Sequence, residues 1–440
     1  MQTEPQPITH RSVLAIAVPM TIGYLTVPLV GMVDMAVVGQ TGVAAAIGGV
    51  ALASVLFDVL FTTFNFLRSG TTGLVAQAVG RRDGLEQQAV VWRAIAIAAA
   101  IGAAILLLRG PILDLGLRFL GGSGEVQAAT RRYFDIRVLS APAALINFAV
   151  FGWLLGLGRA TVGLLLQTLL NAINIGLALW LGLWLGYGLE GVAWGAVVAE
   201  LVALAAGLAV VVADARSKGW PRPGLILDPA KLKAMLGVNR DIMIRSFVLL
   251  AAFFYFVAQS ARFGDVTLAA NAILEKFFLT AAYFLDGFAA AAETFVGRAV
   301  GARHRPSFDG AVRLTAIWGY AMAAIAGVVM FAGGEALVAV MTTAPEVRAV
   351  AAVFLPYAAL TPLMGVSAFQ MDGIFIGATW SRDMRNMMLA SIAIYFALWY
   401  ALGPILGNHG LWIALLGFLG ARGLSLWLIM GRRADATFPA

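Results

Sequence analysis

Long apolar stretches recur along the chain at 12–38, 43–66, 88–108, 133–157, 162–185 and 191–212. They return at 242–263, 269–300, 312–332, 349–375, 387–404 and 411–430. Each approaches or exceeds the roughly 20 residues that let a helix cross a bilayer. None shows the in-and-out alternation of a barrel strand, and in lipid only helices and closed barrels satisfy their own backbone. The pattern predicts an all-α integral membrane protein with twelve transmembrane helices, the second of which can be extended to Val79. The first stretch is too long for a cleaved leader and lacks a small-residue cleavage site behind a short apolar run.

Composition narrows the function classes. Hydrophobic residues make up 61% of the 440 and charged residues 12%, with a mean hydropathy of +0.88. An ordinary soluble domain carries about 25% charged residues, so a soluble enzyme or a nucleic-acid binder is a poor fit. With no cysteine, disulfides, thiolate metal sites and Cys nucleophiles are excluded. The three histidines, His10, His304 and His409, are far apart in sequence, which argues against a metal centre or a triad. No nucleophile–base spacing or phosphate loop stands out, so no enzyme and no cofactor are expected.

Placing the N-terminus in the cytoplasm puts seventeen of the thirty basic residues in inside segments and six in outside segments, with seven inside spans. The positive-inside rule then predicts a multi-pass protein of the cell membrane with both termini cytoplasmic. The polar stretch 214–241 holds the densest cluster, Arg216, Lys218, Arg222, Lys231, Lys233 and Arg240. It reads as a cytoplasmic linker between an N-terminal six-helix lobe, 1–213, and a C-terminal one, 242–440. Its charge suits topology first and contact with anionic lipid second.

The halves echo one another. Val75-Ala-Gln-Ala-Val-Gly80 matches Val296-Gly-Arg-Ala-Val-Gly301 at a shift of 221, and an Arg-bearing loop follows each. Pro142 answers Pro362 at 220, while Gly158 answers Gly377, and Gly188 and Gly191 answer Gly407 and Gly410, at 219. Six spans per copy make the repeats parallel, an architecture that suits alternating access with substrate held between them.

Ionisable residues inside spans are expensive and are functional candidates by default. Asp34, in the first span, has no basic residue within two helical turns along the sequence. A carboxylate in a low-dielectric site exchanges protons near neutral pH, and when ionised it attracts organic cations. Pro19 and Pro28 permit a kink in that helix. In the fifth span Asn171 and Asn174 share a face and suit either an Asp34 network or helix–helix contact. On the eighth span Asn271, Glu275, Asp286 and Glu293 fall on one narrow stripe, which predicts a lining for a central cavity ahead of a static interhelical network. Asp58 and Asn65 share a face of the second span; Tyr255 and Gln259 sit one turn apart on the seventh, and Gln370 and Asp372 end the tenth. Intramembrane charge reads as mostly acidic, which favours cationic cargo. The 15 Met and 26 Phe suit a plastic apolar cavity.

The string Pro28-Leu-Val-Gly-Met-Val-Asp34-Met-Ala-Val-Val-Gly39 resembles the start of the multidrug and toxic compound extrusion (MATE) family. Val75-Ala-Gln-Ala-Val-Gly80 and Gly191-Val-Ala-Trp-Gly do so too. Ala269-Ala-Asn-Ala-Ile-Leu, Leu285-Asp-Gly-Phe-Ala-Ala-Ala-Ala-Glu-Thr-Phe-Val-Gly and Asp372-Gly-Ile-Phe-Ile-Gly resemble its DinF-type branch. The likeness runs from about Thr9 to Arg433. It implies two six-helix lobes in a V and efflux of organic cations against protons or sodium. It also implies a coupling role for Asp34 and a network role for Asn174. Two positions depart from the family pattern: Ala178 stands where an aspartate is common and Ala196 where a threonine is, leaving Asp34 largely alone. Sodium-coupled relatives use acidic residues in the seventh and tenth spans, and 242–263 has none.

The expected function is secondary active antiport: export of amphipathic cationic compounds in exchange for H+, with Asp34 binding proton or substrate in turn. Sodium coupling is the nearer alternative, and a lipid-linked saccharide flippase, which would need a cationic cavity, the further one. Expected partners are the lipid bilayer and small amphipathic molecules, not nucleic acid or a metal, with the monomer as the working unit.

Overall fold

The computed structural model describes residues 7–439. Its twelve long helices are His10–Gly39, Ala44–Gly80, Gly84–Leu107, Gly124–Gly156, Ala160–Trp184, Gly188–Lys218, Pro223–Ala261, Asp265–Gly301, Arg305–Met341, Pro345–Gly377, Ser381–Leu406 and Asn408–Thr437. All twelve expected spans are present, and no strand occurs among the described residues. Most run several residues past the apolar stretch, and some are begun by a capping side chain. Asp83 accepts from the Glu86 amide at 2.9 Å, and His304 Nδ1 accepts from that of Ser307 at 3.2 Å.

Local sequence explains the irregularities. The second span breaks at Asn65, between Ala44–Phe64 and Phe66–Gly80. The fourth tightens to a 3-10 turn at Val138–Ser140, because Pro142 offers no N–H to the Val138 carbonyl and the Ala141 amide takes it instead. Between the third and fourth spans lies a short helix, Arg109–Leu120, which the hydropathy pattern does not predict. Leu113 and Leu117 are buried on one side of it, and Leu115 and Phe119 are exposed on another. The polar stretch 214–241 is mostly helical too. The sixth span continues to Lys218, a single turn covers Pro223–Ile226, and the next helix begins at Pro229.

The chain forms two compact units. One is Ile22–Val79 with Asp83–Leu236. Its core joins Val75, Val90, Trp153, Leu154, Leu166 and Val211. The stretch after the sixth span is fastened here by charge, Lys231 Nζ to Glu86, and by Met235, buried against Ala94 and Ala149.

The other unit takes the chain up to Thr21, Gly80–Arg82 and everything from Gly237. The start of the first span belongs here because it packs on the eighth and ninth. A Cβ built at Gly287 would stand 2.0 Å from Thr21 Oγ1, and Trp318 Nε1 donates to His10 Nδ1 at 3.1 Å. The core of this unit gathers Phe256, Leu274, Phe278, Tyr395, Trp412 and Phe418.

Within each unit the repeat is written in the backbone. A Cβ at Gly152 would stand 2.2 Å from the Arg68 carbonyl oxygen, and one at Gly373 would stand 2.2 Å from that of Ala289. One turn on, Gly156 meets the Thr72 carbonyl and Gly377 that of Glu293. All four pairs share the shift of 221, and small residues at this spacing let helix backbones touch. The match of Gly158 with Gly377 is therefore corrected. Gly158 (φ 68°) answers Thr379 (φ 58°), both left-handed, and Gly377 answers Gly156. The shift falls to 219 only in the last helix of each copy. Leu185, Gly186 and Tyr187 join the fifth and sixth spans, whereas Gly407 alone joins the eleventh and twelfth.

Candidate functional site

Asp34 is buried in the first span, and its Oδ1 has no hydrogen-bond partner. The cation whose charge acts on it is Arg137, from the fourth span, and the Asp34 charge in turn acts on Tyr133. Tyr133 and Arg137 are one helical turn apart and so share a face. The Arg137 guanidinium lies 5.6 Å from the ring centroids of both Phe57 and Phe61, bonds Ser140 Oγ, and stands 3.7 Å from Glu200 Oε1 of the sixth span. Glu200 Oε2 accepts from Asn147 Nδ2 at 2.8 Å.

Glu200 thus stands beside a guanidinium whose charge also acts on Asp34 from another helix. Sequence reasoning found Asp34 and passed over Arg137 and Glu200. The signal was available, since each is a charged residue well inside an apolar stretch, but helical periodicity does not say which charges on separate helices meet. Glu200 lies one turn after Ala196. Ala178 and Ala196 are buried, and a Cβ at Gly195 would stand 3.1 Å from the Ala178 amide nitrogen, so the helices close tightly at the two positions where the resemblance implies polar side chains.

The amides of the fifth span do not join Asp34 Oδ1. Asn171 Nδ2 donates to Thr26 Oγ1 at 2.7 Å, two turns earlier on the first span, and its Oδ1 accepts from Gln167. Asn174 is buried with its Oδ1 unbonded. Asp58 occupies an exposed position. Asn65 Oδ1 accepts from Arg68 Nε at 3.2 Å beside the helix break, and Arg68 Nη1 donates to the Tyr24 hydroxyl.

In the other unit the buried polar groups assemble differently. Asp372 Oδ2 accepts from Arg245 of the seventh span and, at 2.8 Å, from Arg422 of the twelfth. Asp286 is half-buried, and its charge also acts on Arg422. Asn271 spends its whole amide on neighbours. Its Nδ2 donates to Ser260 and Asn408, both at 2.8 Å, and its Oδ1 accepts from Asn408 and from Trp412 Nε1. Glu293 is buried and Glu275 half-buried. Gln370 Nε2 donates to Thr315 Oγ1, Tyr255 meets Tyr395 and Phe396 edge-on, and Gln259 is buried with its Oε1 unbonded. The mostly acidic interior expected from sequence is thereby corrected: Arg93, Arg137, Arg245, Arg298 and Arg422 are buried or half-buried as well.

The MatE family model matches this chain twice, over residues 19–180 and 242–401. DNA damage-inducible protein F of Escherichia coli is 39% identical over 433 residues, covering 96% of this chain and 92% of that protein. The probable multidrug resistance protein NorM of Thermotoga maritima is 24% identical, covering 94% and 90%. Among solved structures, the MATE transporter VcmN of Vibrio cholerae in its bent form superposes with a TM-score of 0.86 at 19% identity, covering 98% of each chain. With two family matches, one in each repeat, on twelve membrane-spanning helices, the chain belongs to the MatE family of membrane transporters.

Proposed function

We propose that this chain is a proton-coupled exporter of amphipathic organic cations, with Asp34 as the group that binds proton and cargo alternately. The observation that carries this reading is the buried Asp34 carboxylate, one oxygen of which accepts no hydrogen bond. A buried acceptor left unbonded is costly, and a proton or a cation relieves that cost. Alternating occupancy becomes transport when the two ligands differ in affinity for inward- and outward-facing states. Drugs as cargo accord with relatives such as the probable multidrug resistance protein of Thermotoga maritima.

Protons are favoured over sodium by the surroundings of Asp372. A desolvated sodium ion needs several oxygen ligands, and Asp372 already serves two guanidinium groups. The test uses purified protein in liposomes and a fluorescent lipophilic cation, under an imposed pH gradient or an imposed sodium gradient. Accumulation driven by the pH gradient and abolished in Asp34→Asn is expected. Accumulation that follows sodium, or that survives the substitution, overturns the reading.

A further inference from the structure

The charges around Asp34 can be counted. Asp34 and Glu200 are acidic, and Arg137 is the positive charge acting on both. Of the other ionisable groups on the helices that bear this cluster, Asp58 and Asp135 are exposed. Tyr133 is a neutral phenol, and Arg68 is bonded to Asn65 and Tyr24, more than two turns before Asp34 on the first span. The fifth span brings the amides of Gln167, Asn171 and Asn174. Two buried carboxylates and one guanidinium leave one negative charge, and an uncompensated charge away from water is expensive.

We propose that Asp34, Arg137 and Glu200 form a single exchange site that takes up one positive charge at a time, so that one proton leaves for each monovalent organic cation that enters. The inference rests on the proton-exchange reading above and adds to it the charge class of the cargo and the stoichiometry. Arg137 is a positioning residue: paired with Glu200, whose other oxygen accepts from Asn147, it leaves the remaining negative charge on Asp34, which takes proton and cargo in turn. Neither state changes the net charge of the site, so exchange of a monocation for a proton moves no charge across the membrane.

The test uses proteoliposomes and the monocation ethidium, with the membrane potential clamped by potassium and valinomycin. For the wild-type chain, one-for-one exchange gives roughly tenfold accumulation per pH unit, the same at zero and at inside-negative potential. Accumulation nearer a hundredfold per pH unit, or dependent on potential, overturns the proposal. Glu200→Gln removes the spare negative charge and is expected to lose pH-driven accumulation. The double variant Arg137→Gln with Glu200→Gln restores one net negative charge at Asp34 and is expected to regain it. A purely structural pair would leave the double variant at least as impaired as the single one, and that result would sink the proposal even if Glu200→Gln alone fails to fold. Loss of pH-driven exchange in the wild-type chain itself, or its survival in Asp34→Asn, is a failure of the proton-exchange reading. Normal coupling in a folded Glu200→Gln is a failure of this one.

Discussion

The two units share a scaffold and divide over their charges. Gly152 and Gly156 of one lie on the backbone at Arg68 and Thr72, and Gly373 and Gly377 of the other lie at Ala289 and Glu293, in one register. The buried ions do not follow that register. The position 221 after Arg137 is Ala358, and the position 221 before Asp372 is Phe151. The carboxylate of Asp34 keeps one oxygen unbonded, whereas that of Asp372 is fastened between two arginines. Close backbone contact tolerates no side chain and is needed in both copies. A buried charge needs only some partner, and each copy found its own.

The comparison breaks most visibly at Asp372. Asp372→Asn leaves Arg245 and Arg422 without their shared counter-charge, and breaking a buried pair costs about 3–5 kcal/mol. A large drop in thermal stability of the detergent-solubilised protein is expected, and an unchanged melting temperature would deny that the clasp holds the seventh, tenth and twelfth spans together. Next come the paired glycines. Gly152→Ala and Gly373→Ala should each cost about 1–3 kcal/mol by overpacking. The two losses should be alike, because the added Cβ meets a carbonyl oxygen at the same distance in both. Unequal losses would separate the two scaffolds.

A smaller effect of opposite sign is expected at Gly310, where a Cβ meets nothing within 4 Å and whose counterpart 221 residues earlier is already Ala89. Gly310→Ala should raise stability by about 0.5–1 kcal/mol through the unfolded chain. The smallest stability effect belongs to Asp34→Asn. Its Oδ1 has no partner to lose, so stability should stay within about 1 kcal/mol of the original, in contrast to Asp372→Asn.

The spans were legible because a run of about twenty apolar residues suits little besides the interior of a bilayer. Their ends were not, because Asp83 and His304 extend helices by bonding single backbone amides that hydropathy does not register. The repeat was visible at 75–80 and 296–301, yet Gly377 was paired two residues out. Glycine serves both for close packing and for left-handed turns, and only the structure shows Thr379 taking the turn that Gly158 takes. Asp34 stood out as a lone carboxylate in an apolar run. Its cation did not, because Arg137 comes from another helix more than a hundred residues away. The face shared by Asn271, Glu275, Asp286 and Glu293 was readable from helical geometry, but not that Asn271 would be consumed by Ser260, Asn408 and Trp412.

In the function we propose, the two units differ in that Asp34 exchanges proton for cargo while the clasped Asp372 does not. The sharpest check on this division is proton release on adding ethidium to the detergent-solubilised protein in weak buffer, followed with a pH dye. Release is predicted from the original chain and from folded Asp372→Asn, with none from Asp34→Asn. Release that persists in Asp34→Asn, or that disappears in folded Asp372→Asn, would show that the roles are not divided in this way.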